Sequence, residues 1–199
     1  MTQALALFRC SGRTENSCGH PMMGAASGMT STRKARYFWP VTLVILLTDC
    51  ATKHVAEAML APAHLPHAVL GDVVRLTLAY NPGGAMSLSF GSYSRPVLIL
   101  LAIVALLVLG ALYRRVPSGL ALPATALALV TGGALGNAVD RLRSTRGVVD
   151  FIDVGLGAAR FWTFNVADVA ITLGAVVLAF AVSRPTVDRT HPESSSSPG

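Results

Sequence analysis

Charge is scarce in this chain. Asp, Glu, Lys and Arg make up only 13% of its 199 residues, against about 25% in an ordinary soluble domain. That deficit, with 52% hydrophobic residues and a mean hydropathy of +0.55, argues against a water-soluble enzyme and for a multi-spanning membrane protein. Cysteine is scarce too. Cys10, Cys18 and Cys50 form no CxxC, and no His falls at metal-ligand spacing, so the sequence offers no metal centre and calls for no cofactor. Cys10 and Cys18 are close enough for a disulfide on paper, but they lie in a segment expected in the cytosol, where thiols stay reduced. Aromatics are few, at 7%, and are not interleaved with basic residues. The net charge of +6 therefore does not indicate nucleic acid as a partner. The cations sit as short clusters beside apolar runs, which is the positive-inside pattern. No glycine-rich loop follows a strand to cradle phosphate. Ser87 and Ser89 lack a His or Lys in a nucleophile motif, and His54, His64 and His67 are isolated.

What is present is a set of long apolar runs. Four spans are expected, at about Tyr37 to Ala58, Pro96 to Tyr113, Leu120 to Val139 and Phe164 to Val182, each near the ~20 residues that a bilayer core requires. This makes the fold an all-α membrane protein, one four-helix domain over residues 37–183. Residues 1–36 read as a disordered cytoplasmic extension, and residues 184–199 as a disordered cytoplasmic tail. Met22, Met23 and Met29 fall inside the extension, and a start at Met29 would run a short basic leader straight into the first span. A cleaved signal peptide is the rival reading, but no small-residue cleavage site follows the first apolar run. Tyr37, Phe38 and Trp39 form an interfacial belt, and Pro40 is expected in the first helical turn, where it does little harm.

The polar segment from Pro62 to Phe90 alternates with period two at residues 73–80 and ends at the turn Asn81-Pro82-Gly83-Gly84. It implies a small extracytoplasmic β-sheet lying on the membrane. Arg33, Lys34, Arg36, Arg114, Arg115, Arg184 and Arg189 orient both termini to the cytosol. Arg141, Arg143, Arg146 and Arg160 then lie outside, and imply a requirement of the site or contact with anionic lipid.

The candidate chemistry lies between residues 132 and 168, with one pair upstream. Asp49 and Lys53, spaced i,i+4, share a helix face. They are either an ion pair that eases two charges into the membrane edge or a pair that orients a site. Gly132 and Gly136 form a GxxxG that brings the third span against a neighbour and turns Asn137 inward. Asp140-Arg141 reads as a charge pair tying down the following loop. Asp150 is flanked by apolar side chains in VVDFI, where desolvation raises a carboxyl pKa. Asp168 follows Asn165 at N-cap-to-N3 spacing, where the helix dipole favours the ionised form. Two carboxyls pushed in opposite directions are the pattern of an acid–base pair. Helix capping and a proton relay account for the same spacing.

Taken together, DCATK at 49–53, NPGGAMS at 81–87, GGALGNAVDR at 132–141, GVVDFI at 147–152 and FNVADVAITLG at 164–174 resemble the lipoprotein signal peptidases (signal peptidase II). The resemblance covers about Arg36 to Val182, with five motifs in order. It implies a four-helix, aspartate-dependent intramembrane peptidase of the bacterial cytoplasmic membrane, a single-chain enzyme needing no cofactor. Such an enzyme removes the signal peptide of a prolipoprotein before its diacylglyceryl-modified cysteine. Asp150 and Asp168 match the catalytic dyad. Asp49, Lys53, Asn81, Gly84, Asn137, Asp140, Arg141 and Asn165 match the supporting or substrate-binding positions. Lipidated prolipoproteins, membrane phospholipid and globomycin-type inhibitors are the implied partners. The sequence departs from the family at Cys50, often Gln, and at Gly84 and Met86 in the turn, where members usually read NxGAAFS. The linker from Arg141 to Gly147 is slightly long. The contrasting reading is a small transporter or proton-relay protein, which would need acids through the bilayer midplane; Val97–Leu109 and Leu120–Val130 contain none.

Overall fold

The computed structural model describes residues 26–83 and 91–183. The element order is α1 (Ala26–Met59), β1 (Pro66–Leu70), β2 (Val74–Asn81), α2 (Ser94–Arg115), α3 (Ala121–Arg143), β3 (Val148–Leu156), β4 (Ala159–Arg160) and α4 (Val166–Ser183). Among the described residues two helices, α2 and α3, are long and apolar enough to cross a membrane, and Val166–Ala181 is a shorter apolar helix. α1 is longer than either, but Arg33, Lys34 and Arg36 near one end and Asp49, Lys53 and Glu57 toward the other dilute its apolar middle. α2 turns Leu100, Leu101, Ile103, Val104, Leu107 and Val108 outward. A helix that shows leucine, isoleucine and valine to its surroundings belongs in lipid rather than water.

α1 starts well before Tyr37, so residues 26–36 are helical rather than a disordered leader. The reason is a tertiary anchor that local pattern does not encode. Lys34 Nζ donates to the carbonyls of Tyr113 and Val116, both at 3.0 Å, where α2 has run out of amide partners, and it lies 4.8 Å from the centroid of the Tyr113 ring. Cations are favoured at such a helix C-terminus. Pro40 consequently sits in the interior of α1 rather than in its first turn, where its missing N–H leaves the Arg36 carbonyl without a helical donor.

α3 is the central helix. It packs on α1 through Gly132 and Gly136 and on α4 through Gly133. A Cβ on Gly132 would stand 2.9 Å from both the Thr42 carbonyl oxygen and Ile45 Cβ. One on Gly133 would collide with the Ala167 carbonyl, and one on Gly136 with the Asp49 carboxylate. The GxxxG therefore serves close packing inside one chain.

The sheet is antiparallel, in the order β1-β2-β3-β4. The expected strand is β2; its partners come from either side of it in sequence. Leu60, Leu78, Val149 and Phe151 bury against Ala56 near the end of α1, so the sheet is clamped to the helix pole that carries Asp49 and Lys53. Side chains alternate across a strand. With Val149 and Phe151 in this cluster, Asp150 faces the other way. Gly147, at φ +101°, lets β3 start directly against the Asn81 carbonyl, a conformation and an approach that no side chain permits.

Candidate active site

The site is built on the first turn of α4. Asn165 Oδ1 accepts the Asp168 amide at 3.0 Å, and Asp168 Oδ2 accepts the Asn165 amide at 3.2 Å, a reciprocal capping box. The Ala167 amide donates to Asp49 Oδ1 at 2.9 Å. Capping is thus real, but it leaves half of Asp168 free for another role: its Oδ1 accepts Asn137 Nδ2 at 2.8 Å.

Behind this turn lies a dry polar knot. Lys53 is 2% exposed, and its ammonium lies 2.7 Å from Asp49 Oδ2, 2.8 Å from Asp140 Oδ2 and 2.9 Å from Asn137 Oδ1. Three acceptors use its three protons. Asp140 Oδ2 also accepts the Val149 amide at 3.2 Å, tying α3 to β3. The Asp49–Lys53 spacing is therefore both an ion pair and an orienting device, one bond removed from Asp168 through Asn137.

Asn165 joins the two candidate carboxyls. Its Nδ2 donates to Asp150 Oδ1 at 2.7 Å, and lies 3.1 Å from Asn137 Oδ1 and 3.2 Å from the Val149 carbonyl. Asp150 and Asp168 both line a cavity of ≈ 440 Å³, together with Asn81, Asn137 and Arg141. Burial, and then the charge of Asp168, push Asp150 up to about 7, against the pull of hydrogen bonds from Asn165 and Asn81 and of the Lys53 charge. Near neutrality Asp150 is therefore poised to hold or release a proton. A carboxyl that can donate beside one whose oxygens both accept is the equipment for moving protons to and from a polar bond.

Of the residues read from sequence, Asp150, Asp168, Asn81, Asn137 and Arg141 line the cavity, while Asp49, Lys53, Asp140 and Asn165 form its support. Gly84 lies outside the described residues, as do Met86, Ser87 and Ser89, the leader methionines Met22 and Met23, Cys10, Cys18 and the tail with Arg184 and Arg189. Arg141 reaches the Asn137 carbonyl at 3.1 Å and the Gly83 carbonyl at 3.4 Å, so it meets the turn after Asn81 rather than the loop that follows it, and the expected Asp140-Arg141 charge pair does not form because Asp140 pairs with Lys53. Two of the other arginines expected on the outer side serve the sheet. Arg160 pairs with Asp153 at 2.7 Å, and Arg146 pairs with Glu57 at 3.2 Å while stacking on Tyr80. The sequence reading misses the apolar wall of the cavity, formed by Val148, Phe161, Trp162, Phe164 and Ile171. Its signal is present in the aromatic cluster beside Asn165, an arrangement typical of a membrane interface. No described acid lies on α2, and the acid of α3 is Asp140, near its end. The described carboxyls gather at one pole, and nothing supports a relay through the bilayer.

Residues 41–184 match the family model described as signal peptidase (SPase) II. A lipoprotein signal peptidase of Paraburkholderia phytofirmans is 40% identical over 140 residues, covering 69% of this chain and 79% of its own. That of Mycobacterium tuberculosis is 36% identical over 180 residues, covering 84% and 83%. A bacterial membrane enzyme solved by the in meso method at 2.3 Å resolution superposes with a TM-score of 0.66 at 24% identity, over 83% of this chain and 94% of that one. A second, at 1.9 Å, gives 0.64 at 25% identity, over 80% and 95%.

Proposed function

From the premise that this chain belongs to the signal peptidase II family, we propose that it hydrolyses its peptide bond with Asp150 and Asp168 as an acid–base pair. The protein is a membrane peptidase that removes signal peptides from prolipoproteins. The aspartic mechanism rests on one observation: carboxyls from two separate elements meet at one cavity, joined by a single asparagine. In the mechanism Asp168 takes a proton from a water molecule, whose oxygen attacks the scissile carbonyl. Asp150 donates its proton to the carbonyl oxygen, giving a neutral tetrahedral diol. The intermediate then collapses as the C–N bond breaks: the departing nitrogen takes the proton held by Asp168, and Asp150 recovers one from a hydroxyl of the diol. The products are a carboxylic acid and an amine, with no covalent intermediate. Asn137 and Asn165 hold the carboxyls in register, and Arg141 fixes the turn after Asn81.

In this reading α1 and α4 join α2 and α3 as spans, in a monomer of the bacterial cytoplasmic membrane. Both termini are cytoplasmic, and the sheet and dyad face the outer side. The substrate is a diacylglyceryl-modified prolipoprotein, whose acyl chains stay in the bilayer beside the apolar cavity wall and which is cut just before its modified cysteine. Globomycin-type inhibitors occupy the same cavity. A gel-shift assay on a lipidated prolipoprotein, using wild type, Asp150→Asn and Asp168→Asn, tests the mechanism. Each variant should fold in the membrane and leave the substrate uncut. Wild-type turnover by either removes the dyad.

A further inference from the structure

Far from the dyad, a second cavity of ≈ 320 Å³ opens between the start of α1 and the turn joining α2 to α3, lined by Arg33, Arg36, Tyr37, Ser118, Gly119 and Ala121. The stretch of α1 from Arg36 to Asp49 places it about 20 Å from the polar knot at 1.5 Å per residue. Arg33 and Arg36 are spaced i,i+3, on one helix face. Neither makes an ion pair among the described residues, and Lys34 between them is committed to the end of α2. No described carboxylate lies at this pole: the first acid of α1 is Asp49, that of α3 is Asp140, and α2 has none. α3 begins here with Leu120 at its N-cap and no side-chain cap, so the positive end of the helix adds to the field at this pole. Below the cavity, Leu43 and Leu47 continue the Arg36 face of α1 at seven and eleven residues, and Val44 continues that of Arg33. All three are more than half exposed. Tyr37 and Trp39, also exposed, mark the headgroup level.

A paired guanidinium pocket above an open apolar stripe has the shape of a headgroup over its chains. We propose that this cavity binds the phosphate of an anionic phospholipid in the leaflet opposite the dyad, with the acyl chains lying along Leu43, Val44 and Leu47. The site rests on the spanning arrangement proposed above. The two guanidiniums grip phosphate oxygens through paired N–H donors, and the bound lipid pins the α2–α3 turn to α1.

The test is native mass spectrometry of the full-length protein, released from detergent and titrated with phosphatidylglycerol, phosphatidylcholine or inorganic phosphate. Wild type should retain one phosphatidylglycerol in preference to phosphatidylcholine. Arg33→Gln/Arg36→Gln should weaken that adduct roughly thirtyfold, the effect of two cations at an anionic surface. Arg114→Gln/Arg115→Gln, outside the cavity, should weaken it far less. Retained cleavage of a lipidated prolipoprotein shows that the first variant is folded and separates failure of this site from failure of the peptidase reading. Equal retention of the two lipids, equal loss in both double variants, or binding of phosphate without phosphatidylglycerol overturns the assignment.

Discussion

Asp150 carries the sharpest consequence at the scale of single residues. Burial and the Asp168 charge push its folded pKa up to about 7, well above the usual carboxylate range, so at about pH 5 to 6 the folded protein holds a proton that the unfolded chain has released. The stability linked to that proton is fully present below pH 4 and is lost as pH rises through about 7, a swing of about 4 kcal/mol. Asp150→Asn keeps a neutral, hydrogen-bonding side chain. It should therefore abolish cleavage, losing roughly 10²–10⁴-fold in rate, and yet melt higher than wild type at pH 8. Thermal melts in detergent at pH 5 and pH 8 measure this; parallel pH dependence in the two proteins would show that Asp150 does not titrate there. Asp153 makes the instructive neighbour. It lies three residues along the same strand, but Arg160 and Thr77 hold its carboxylate. Asp153→Asn should keep activity in the gel-shift assay while lowering the melting temperature. Asp150 was legible in the sequence as an acid out of place among apolar neighbours. The triple reach of the Asn165 amide was not, because it joins α4 to β3 and α3, and no sequence spacing expresses a bond between three elements.

At the scale of elements, the interface between α1 and α3 has the least room. Gly136→Ala would drive a methyl group into the Asp49 carboxylate and disturb its bond to the Ala167 amide. Overpacking of this kind costs about 1–3 kcal/mol, and activity should fall with the melting temperature. Gly110→Ala on α2, where nothing stands within 4 Å of the new Cβ, should be silent in both measurements. Lys53→Met leaves Asp49 and Asp140 buried without their counter-ion, a change that costs about 3–5 kcal/mol. It should deplete the protein from the membrane fraction, whereas Lys53→Met with Asp49→Asn and Asp140→Asn should restore much of it. The helices were readable because their apolar runs are local and long. β2 was readable from its alternation. β1, β3 and β4 were not, because they are short or nearly continuously buried and owe their strand geometry to pairing with β2 or β3. The first turns of α1 escaped for the same reason, since Lys34 fastens them to the end of α2.

For the molecule as a whole, the separation of charge is the basis of the proposed orientation. Among the described residues no carboxylate lies at the pole of Arg33, Arg36, Arg114 and Arg115, and the carboxyls gather at the other. Cysteines introduced at Thr145 and at Gly119, in a background lacking Cys10, Cys18 and Cys50, should differ in intact cells with a permeabilised outer barrier. Thr145→Cys should react with a membrane-impermeant thiol reagent, and Gly119→Cys only after the inner membrane is breached; the reverse order would invert the topology. The cavity at the carboxyl pole also has two kinds of wall. Its floor is made of Asp150, Asp168, Asn137 and Arg141, which the fold itself uses as caps, ties and strand anchors. Its rim is made of Phe161, Trp162 and Ile171, of which Phe161 and Trp162 are mostly exposed and ready to change without loosening an element. Under selection by an antibiotic that fills this cavity, escape by altering the floor removes the enzyme along with the drug's footing. Surviving lineages should therefore carry their substitutions in the rim.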